Sequence, residues 1–154
     1  MVEPLSLDFN RIGELQALVK HCHPTRMARP NVWYFAHPTI VVDSDSGYVG
    51  YTSFSIGYGM GLTIHLMDTG IREDYRGKGL AKQLMIERIE IAKRLGVQIL
   101  LGATRPDNHP MRKILDSLGF HACQNVSNYY SDETPQRDGV IYSAGMSVIT
   151  LPEA

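Results

Sequence analysis

Cysteine, tryptophan and any surplus of charge are scarce in this 154-residue chain: it has two Cys, one Trp and a formal net charge of −1. Cys22 and Cys123 are too few for a disulfide framework, so the fold must rest on its core. The sequence holds no run of about eighteen apolar residues and no secretory hydrophobic segment, which argues against a membrane partner and makes a cytoplasmic protein the expectation. With 15 basic against 16 acidic residues, no nucleic-acid partner that needs a broad basic surface is expected. Repeats, low-complexity tracts and linkers are also missing, and residues 1–154 read as a single domain.

What is present is a globular mixture, 44% hydrophobic and 20% charged, in a chain long enough to bury about two-thirds of its unfolded surface. The charge is uneven. Residues 70–113 carry ten Lys and Arg against five acids, a local +5, and the remainder is −6. A basic middle within a neutral chain suits an anionic small ligand better than a polymer.

Residues 10–20 predict a helix capped by Asn10, with Ile12, Leu15, Leu18 and Val19 on one face. The proline-bearing stretch 24–38 reads as loop or short helical turns, with 32–35 as a strand candidate inside it. Further strands are predicted at 39–42, 48–56, 62–71, 97–101, 122–130 and 140–150, and helices at 77–95, stopped by Gly96, and from Asp107 or Asn108 to Gly119. The glycines between 57 and 61 read as a turn.

The most informative stretch is Ile71-Arg-Glu-Asp-Tyr-Arg-Gly-Lys-Gly-Leu-Ala-Lys82. A strand, a short basic loop and a long helix in succession make an anion site, because the first N–H groups of a helix have no internal partner and the dipole adds positive potential. Gly77 and Gly79 let the backbone approach a phosphate closely, and Arg76, Lys78 and Lys82 add charge. The spacing fits neither a Walker A loop nor a dinucleotide fingerprint.

The segment Arg76-Gly-Lys-Gly-Leu-Ala81 has the form Arg/Gln-x-x-Gly-x-Gly/Ala and resembles the pyrophosphate loop of the GCN5-related N-acetyltransferases. Asn108, Met111 and Leu118-Gly119-Phe120 look like that superfamily's next motif; Asn128-Tyr-Tyr130 and residues 138–146 look like the last strands of its ribosomal-protein alanine acetyltransferase branch. The resemblance covers residues 48–150. It implies an α/β fold: a mixed, mostly antiparallel sheet, splayed at its middle and flanked by helices. It also implies acetyl-CoA as cosubstrate and direct acetyl transfer to a primary amine in a ternary complex. By the same resemblance, the backbone of Thr69, Gly70 and Ile71 pairs with pantetheine, the N–H groups of Arg76, Gly77, Lys78, Gly79, Leu80 and Ala81 hold the pyrophosphate, and Asn108 touches pantetheine or caps its helix.

The resemblance stops short of the catalytic residues. That branch uses a Glu and a Tyr where this chain has Ala103 and Leu115. Acetyl transfer still needs a neutral amine, a stabilised oxyanion and a proton for the thiolate. His65, six residues before Ile71, is the candidate base; a strand histidine bonded within the sheet is the plainer alternative. Asp68 is a rival on the opposite face of a regular strand. Tyr129 and Tyr130 are candidate acids, expected on opposite faces, so that one of them reaches the sulfur. His21-Cys22-His23 lacks a third ligand, and no metal is expected. Trp33, Tyr34 and Phe35 either line the acceptor cleft or pack in the core. Asp43, Asp45, Asp132 and Glu133 weakly favour a cationic acceptor, whether a small molecule or a peptide. Two other functions fit the same fold: a coenzyme A-binding protein without catalysis, and a toxin-like aminoacyl-tRNA acetyltransferase. The last strands offer edges for a homodimer.

Overall fold

Short apolar runs and longer runs of helical period resolve into seven strands and four α-helices among the residues described by the computed structural model, 4–58, 61–130, 133 and 137–152. The strands are β1 (Pro4–Ser6), β2 (Thr39–Ser44), β3 (Gly47–Tyr58), β4 (Leu62–Ile71), β5 (Ile99–Thr104), β6 (His121–Tyr130) and β7 (Arg137–Gly145). The helices are α1 (Ile12–Cys22), α2 (Asn31–Ala36), α3 (Leu80–Arg94) and α4 (His109–Ser117). The sheet order is β1-β2-β3-β4-β5-β7-β6. β1–β2, β2–β3, β5–β7 and β6–β7 are antiparallel, and β4–β5 is parallel. This is the mixed, mostly antiparallel α/β sheet with flanking helices that the sequence implied.

The chain forms two compact units: Met1–Ser55 with Met67–Arg88, and Ile56–Leu66 with Ile89–Ala154. In the first, α1 buries Leu15, Leu18 and Val19, spaced on one helical face, in a cluster with Tyr34, Val41, Tyr48 and Tyr51. Full burial of a side chain such as Leu15 stabilises by about 1.5–3 kcal/mol. Arg11 closes this core from outside, 4.1 Å above the Tyr48 ring and bonded to both carboxylate oxygens of Asp43. In the second unit, β4 runs beside β5 from Thr63↔Ile99 to Leu66↔Gly102, and β7 continues the sheet on β5's other side.

Four local expectations need correction. Residues 32–35 form α2 rather than a strand. Pro30 presets the entry with φ −68° and its carbonyl accepts from Trp33 N, and a four-residue apolar run cannot declare its period alone. Asn10 does not cap α1: it lies in a 3₁₀ turn, Phe9–Arg11, whose cap is Asp8. The helix predicted from 77 starts at Leu80, because Gly77 and Gly79 are left-handed, with φ +76° and +79°. The last strand ends at Gly145 and passes into a 3₁₀ turn, Met146–Val148. The short β1 has no counterpart in the sequence reading, and of the 57–61 turn, Gly59 and Met60 lie outside the described residues.

Gly96 and Gly119 end α3 and α4 in the left-handed region, at φ +73° and +95°. At α3 the N–H of Val97 closes onto Ala92 O, a Schellman cap. A Cβ on Gly119 would stand 2.4 Å from the Val148 carbonyl oxygen. Gly119→Ala therefore carries both strain and a clash, and urea denaturation should show a loss of about 2 kcal/mol or more; wild-type stability would contradict this account of the turn.

Candidate functional site

In the first unit, the end of β4 is fixed by close packing. Thr69 turns its hydroxyl inward to Thr52 Oγ1, 2.8 Å away. At Gly70 the strand passes so near the core that a Cβ would stand 2.5 Å from the Tyr51 ring and 3.0 Å from Cys22. Ile71 is 9% exposed. The chain then leaves the sheet through a 3₁₀ turn, Glu73–Tyr75, after Arg72 N bonds Val49 O at 2.8 Å.

Arg76 ties the loop back, its Nε donating to Ile71 O at 2.9 Å. Its own N–H is engaged with Glu73 O, so it does not join the free donors as the sequence suggested. Among the described residues, no backbone acceptor takes the N–H groups of Gly77, Lys78, Gly79, Leu80, Ala81 or Lys82, whereas Gln83 N already bonds Gly79 O. The first turn of α3 carries no acidic residue. An ideal Cβ on Gly77 or Gly79 meets nothing within 4 Å, so these glycines answer a demand for positive φ and leave open space before the loop. Lys78 Nζ lies 4.7 Å from the Tyr75 ring centroid. The result is a row of unpaired N–H dipoles under positive charge, fitted to a phosphate.

In the second unit, His65 stands opposite Leu101 in the β4–β5 ladder. Its imidazole is half-buried and makes no hydrogen bond to a described residue, so the alternative of a histidine bonded within the sheet loses its motive. Burial pushes its pKa below the ordinary 6.5, favouring the neutral ring. Asn108 caps α4, its Oδ1 accepting from Met111 N at 3.3 Å. Tyr129 and Tyr130 do not point to opposite faces: their rings meet edge to face, with centroids 5.0 Å apart. The reason is local. Asn128 adopts φ +53°, its N–H donates to Asp138 Oδ1 at 2.9 Å, and the β6–β7 register shifts between Val126 and Tyr130. Gly139 makes room for Tyr129, since a Cβ there would be 2.8 Å from that side chain. Burial raises the Tyr129 pKa and keeps its phenol protonated. His65 makes no hydrogen bond to either tyrosine. Two open depressions of about 320 and 330 Å³, around Pro106 and Asp138 in this unit, are not lined by His65, Asn108, Tyr129 or Tyr130.

Several rival candidates are otherwise engaged. Asp68 is bound by Arg26 at 2.6 Å and by Arg29, which removes it as a base. Asp43 faces Arg11, and Glu133 is buried between Arg105 and Arg137, so neither offers charge to a cationic acceptor; Asp132 lies outside the described residues. Tyr34 belongs to the core, Trp33 stacks on His37 at 4.2 Å, and Phe35 is 65% exposed against Phe9. Among the described residues no His, Cys, Asp and Glu side chains gather as a metal site, and no helix is long and apolar enough to cross a membrane. The sequence reading passed over Arg88, which is 1% exposed. Its position on the stripe of Leu84, Met85, Ile89 and Ala92 was the available signal.

Residues 9–120 match the Acetyltransferase (GNAT) family. No curated protein matches the chain at a significant level. Among solved structures, it is similar to the ribosomal-protein-S18-alanine N-acetyltransferase of Escherichia coli, with TM-score 0.77, 17% identity, and 99% of this chain and 97% of that one covered. It is similar to Arabidopsis thaliana NAA60 in complex with acetyl-CoA, with TM-score 0.83, 13% identity, and coverage of 96% and 99%. The IAA acetyltransferase of Bacillus cereus ATCC 14579 gives TM-score 0.77, 19% identity, and coverage of 94% and 99%. At these identities the likeness is one of fold.

The depressed His65 pKa has a consequence for stability. The unfolded chain binds this proton more readily than the folded one, so the contribution of the neutral ring is complete above pH 6.5 and is lost as pH falls below it. Thermal melts from pH 7.5 down to about 5 should therefore show wild type losing more stability than His65→Gln. Parallel losses in the two proteins would refute the burial of a neutral ring.

Proposed function

The chain belongs to the acetyltransferase (GNAT) family of N-acetyltransferases, and on that premise we propose that it transfers acetyl from acetyl-CoA directly to a primary amine in a ternary complex, as one catalytic domain spanning residues 1–154. The observation that carries this reading is the left-handed pair Gly77 and Gly79 before α3, with the following N–H groups unpaired. The loop fits the pyrophosphate of coenzyme A: open space at both glycines, no acidic residue in the first turn, and Lys78 and Lys82 beside it.

Acetyl-CoA, when bound, supplies the activated thioester carbonyl. The N–H groups of Gly77 to Ala81 hold the pyrophosphate, and Arg76 sets the loop by its bond to Ile71 O. Thr69, Gly70 and Ile71 offer backbone groups to the pantetheine arm, since the Thr69 side chain is committed elsewhere. The β4–β5 ladder extends no further than Leu66↔Gly102, which supports a role for these later residues in pairing with a ligand. Backbone N–H groups of this strand oppose the negative charge that builds on the carbonyl oxygen. His65, held neutral by burial, accepts the proton of the incoming ammonium. Tyr129 or Tyr130 returns a proton to the departing sulfur, and burial keeps the Tyr129 phenol protonated for that role. Asn108, besides capping α4, has an amide N–H₂ to offer pantetheine. The acceptor class is a small-molecule or peptide amine, and two copies of the chain can pair through the strands at its C-terminal end.

Replacing Arg76-Gly77 by Glu-Ala should raise the dissociation constant for coenzyme A about tenfold or more, a change of about 1.4 kcal/mol, measured by calorimetry; unchanged affinity overturns the loop assignment. His65→Ala should abolish acetyl transfer while coenzyme A affinity stays at the wild-type level. Full turnover in that variant would remove His65 as the base, and absence of turnover in wild type across a broad amine panel would favour a binding protein without catalysis.

A further inference from the structure

We infer that Arg88 is a positioning residue: buried within α3, it holds the later half of β4 in the conformation that receives coenzyme A, acting through Thr69. The inference rests on the proposed cofactor site but is argued from a different set of contacts.

Arg88 occupies an apolar position. Leu84, Met85, Ile89 and Ala92 share its helical stripe and are buried, and at 1% exposed Arg88 is as deep as they are. Its guanidinium reaches two strands of the first unit. Nη1 donates to Ser53 O on β3 at 2.9 Å, and Nη2 donates to Thr69 Oγ1 on β4 at 3.2 Å, with Met85 Sδ 3.4 Å away. None of these partners is a carboxylate, and Nε has no partner among the described residues.

Because a guanidinium can only donate, the polarity of the neighbouring hydroxyls is fixed. Thr69 Oγ1 accepts from Arg88 and so turns its proton toward Thr52 Oγ1, 2.8 Å away. Thr52, 0% exposed, in turn donates to Asp68 O at 3.0 Å. The chain of bonds runs Arg88, Thr69, Thr52, Asp68 carbonyl, and it grips two consecutive residues of β4 just before Gly70 and Ile71. These residues lie beyond the ladder that ties the strand's first half to β5, so on that side no strand holds them, and the side-chain bonds add to the pairing with β3 on the other.

Stability alone is a poor reason for this arrangement. The charge of Asp68 favours the cation, but no carboxylate bonds it, and a buried cation so placed costs more than an apolar side chain of similar volume at the same position. Burial pulls the Arg88 pKa down to about 9, the mark of that cost. What an apolar residue cannot supply is the directed bond to Thr69, or a fixed positive charge one side chain from a strand whose backbone is to receive a ligand.

The test compares wild type, Arg88→Met, Arg88→Lys and Thr69→Val by thermal melting, calorimetric titration with coenzyme A, and amide hydrogen exchange of residues 67–71. Arg88→Met should melt at or above the wild-type temperature, exchange these amides about tenfold faster and bind coenzyme A about tenfold more weakly, with Arg88→Lys partly restoring both. Thr69→Val should reproduce the exchange and binding losses even if Arg88→Met fails to fold. Wild-type exchange and affinity in Arg88→Met, or in Thr69→Val if Arg88→Met does not fold, would overturn the inference. If wild type itself bound no coenzyme A, the cofactor reading would fall, and exchange alone would decide whether Arg88 positions the strand.

Discussion

A strand and a helix that follow each other within nine residues, Ile71 to Leu80, can be joined only if the backbone reverses its course, and here two residues do so in the left-handed region, Gly77 and Gly79. An L side chain at either place would cost about 1–2 kcal/mol without touching any neighbour, because the strain is in the backbone itself. The same turn keeps the first N–H groups of α3 from finding partners. A conformational requirement of the chain thus becomes a binding property of the surface: unpaired donors, a helix dipole and nearby lysines point at one place.

β4 serves that turn in two ways. Its first half is paired with β5, and its second half, which leaves β5 but keeps β3 as its neighbour, is further fixed by particular side chains: Thr52 and Arg88 on Thr69, and Tyr51 and Cys22 against Gly70. Cys22, whose thiol pKa is raised by burial, is part of this packing rather than a nucleophile. The charged residues divide in a similar way. Most acids that looked available in the sequence are spent on arginines, as with Asp68 on Arg26 and Arg29, and Glu133 on Arg105 and Arg137.

How much of this could be read beforehand depended on whether the determinant was local. The glycine loop was legible because positive φ leaves a signature in single residues, and β4 was read to its ends because its turn signals flank it directly. Residues 32–35 were misread because Pro30 and the core around Tyr34, rather than periodicity, make them helical. The tyrosine pair was misread because one residue, Asn128, breaks the alternation on which the reading relied. Arg88 was overlooked because sequence custom sends arginine to water; only its place on the apolar stripe says otherwise. The partners of Asp68 lie 42 and 39 residues away in sequence, at a distance no local pattern reports.

The most direct test of the central claim, that the loop before α3 binds the pyrophosphate of the acyl donor, is a calorimetric comparison of acetyl-CoA with acetyl-pantetheine, which shares the thioester arm but lacks the pyrophosphate and the adenosine 3′-phosphate. It is run on wild type and on the Arg76-Gly77 to Glu-Ala variant, so that a loss at the loop is told from loss of the nucleoside. The account predicts saturable binding of acetyl-CoA and affinity for acetyl-pantetheine weaker by about tenfold or more. Equal affinity for the two, or no binding of either, would contradict it.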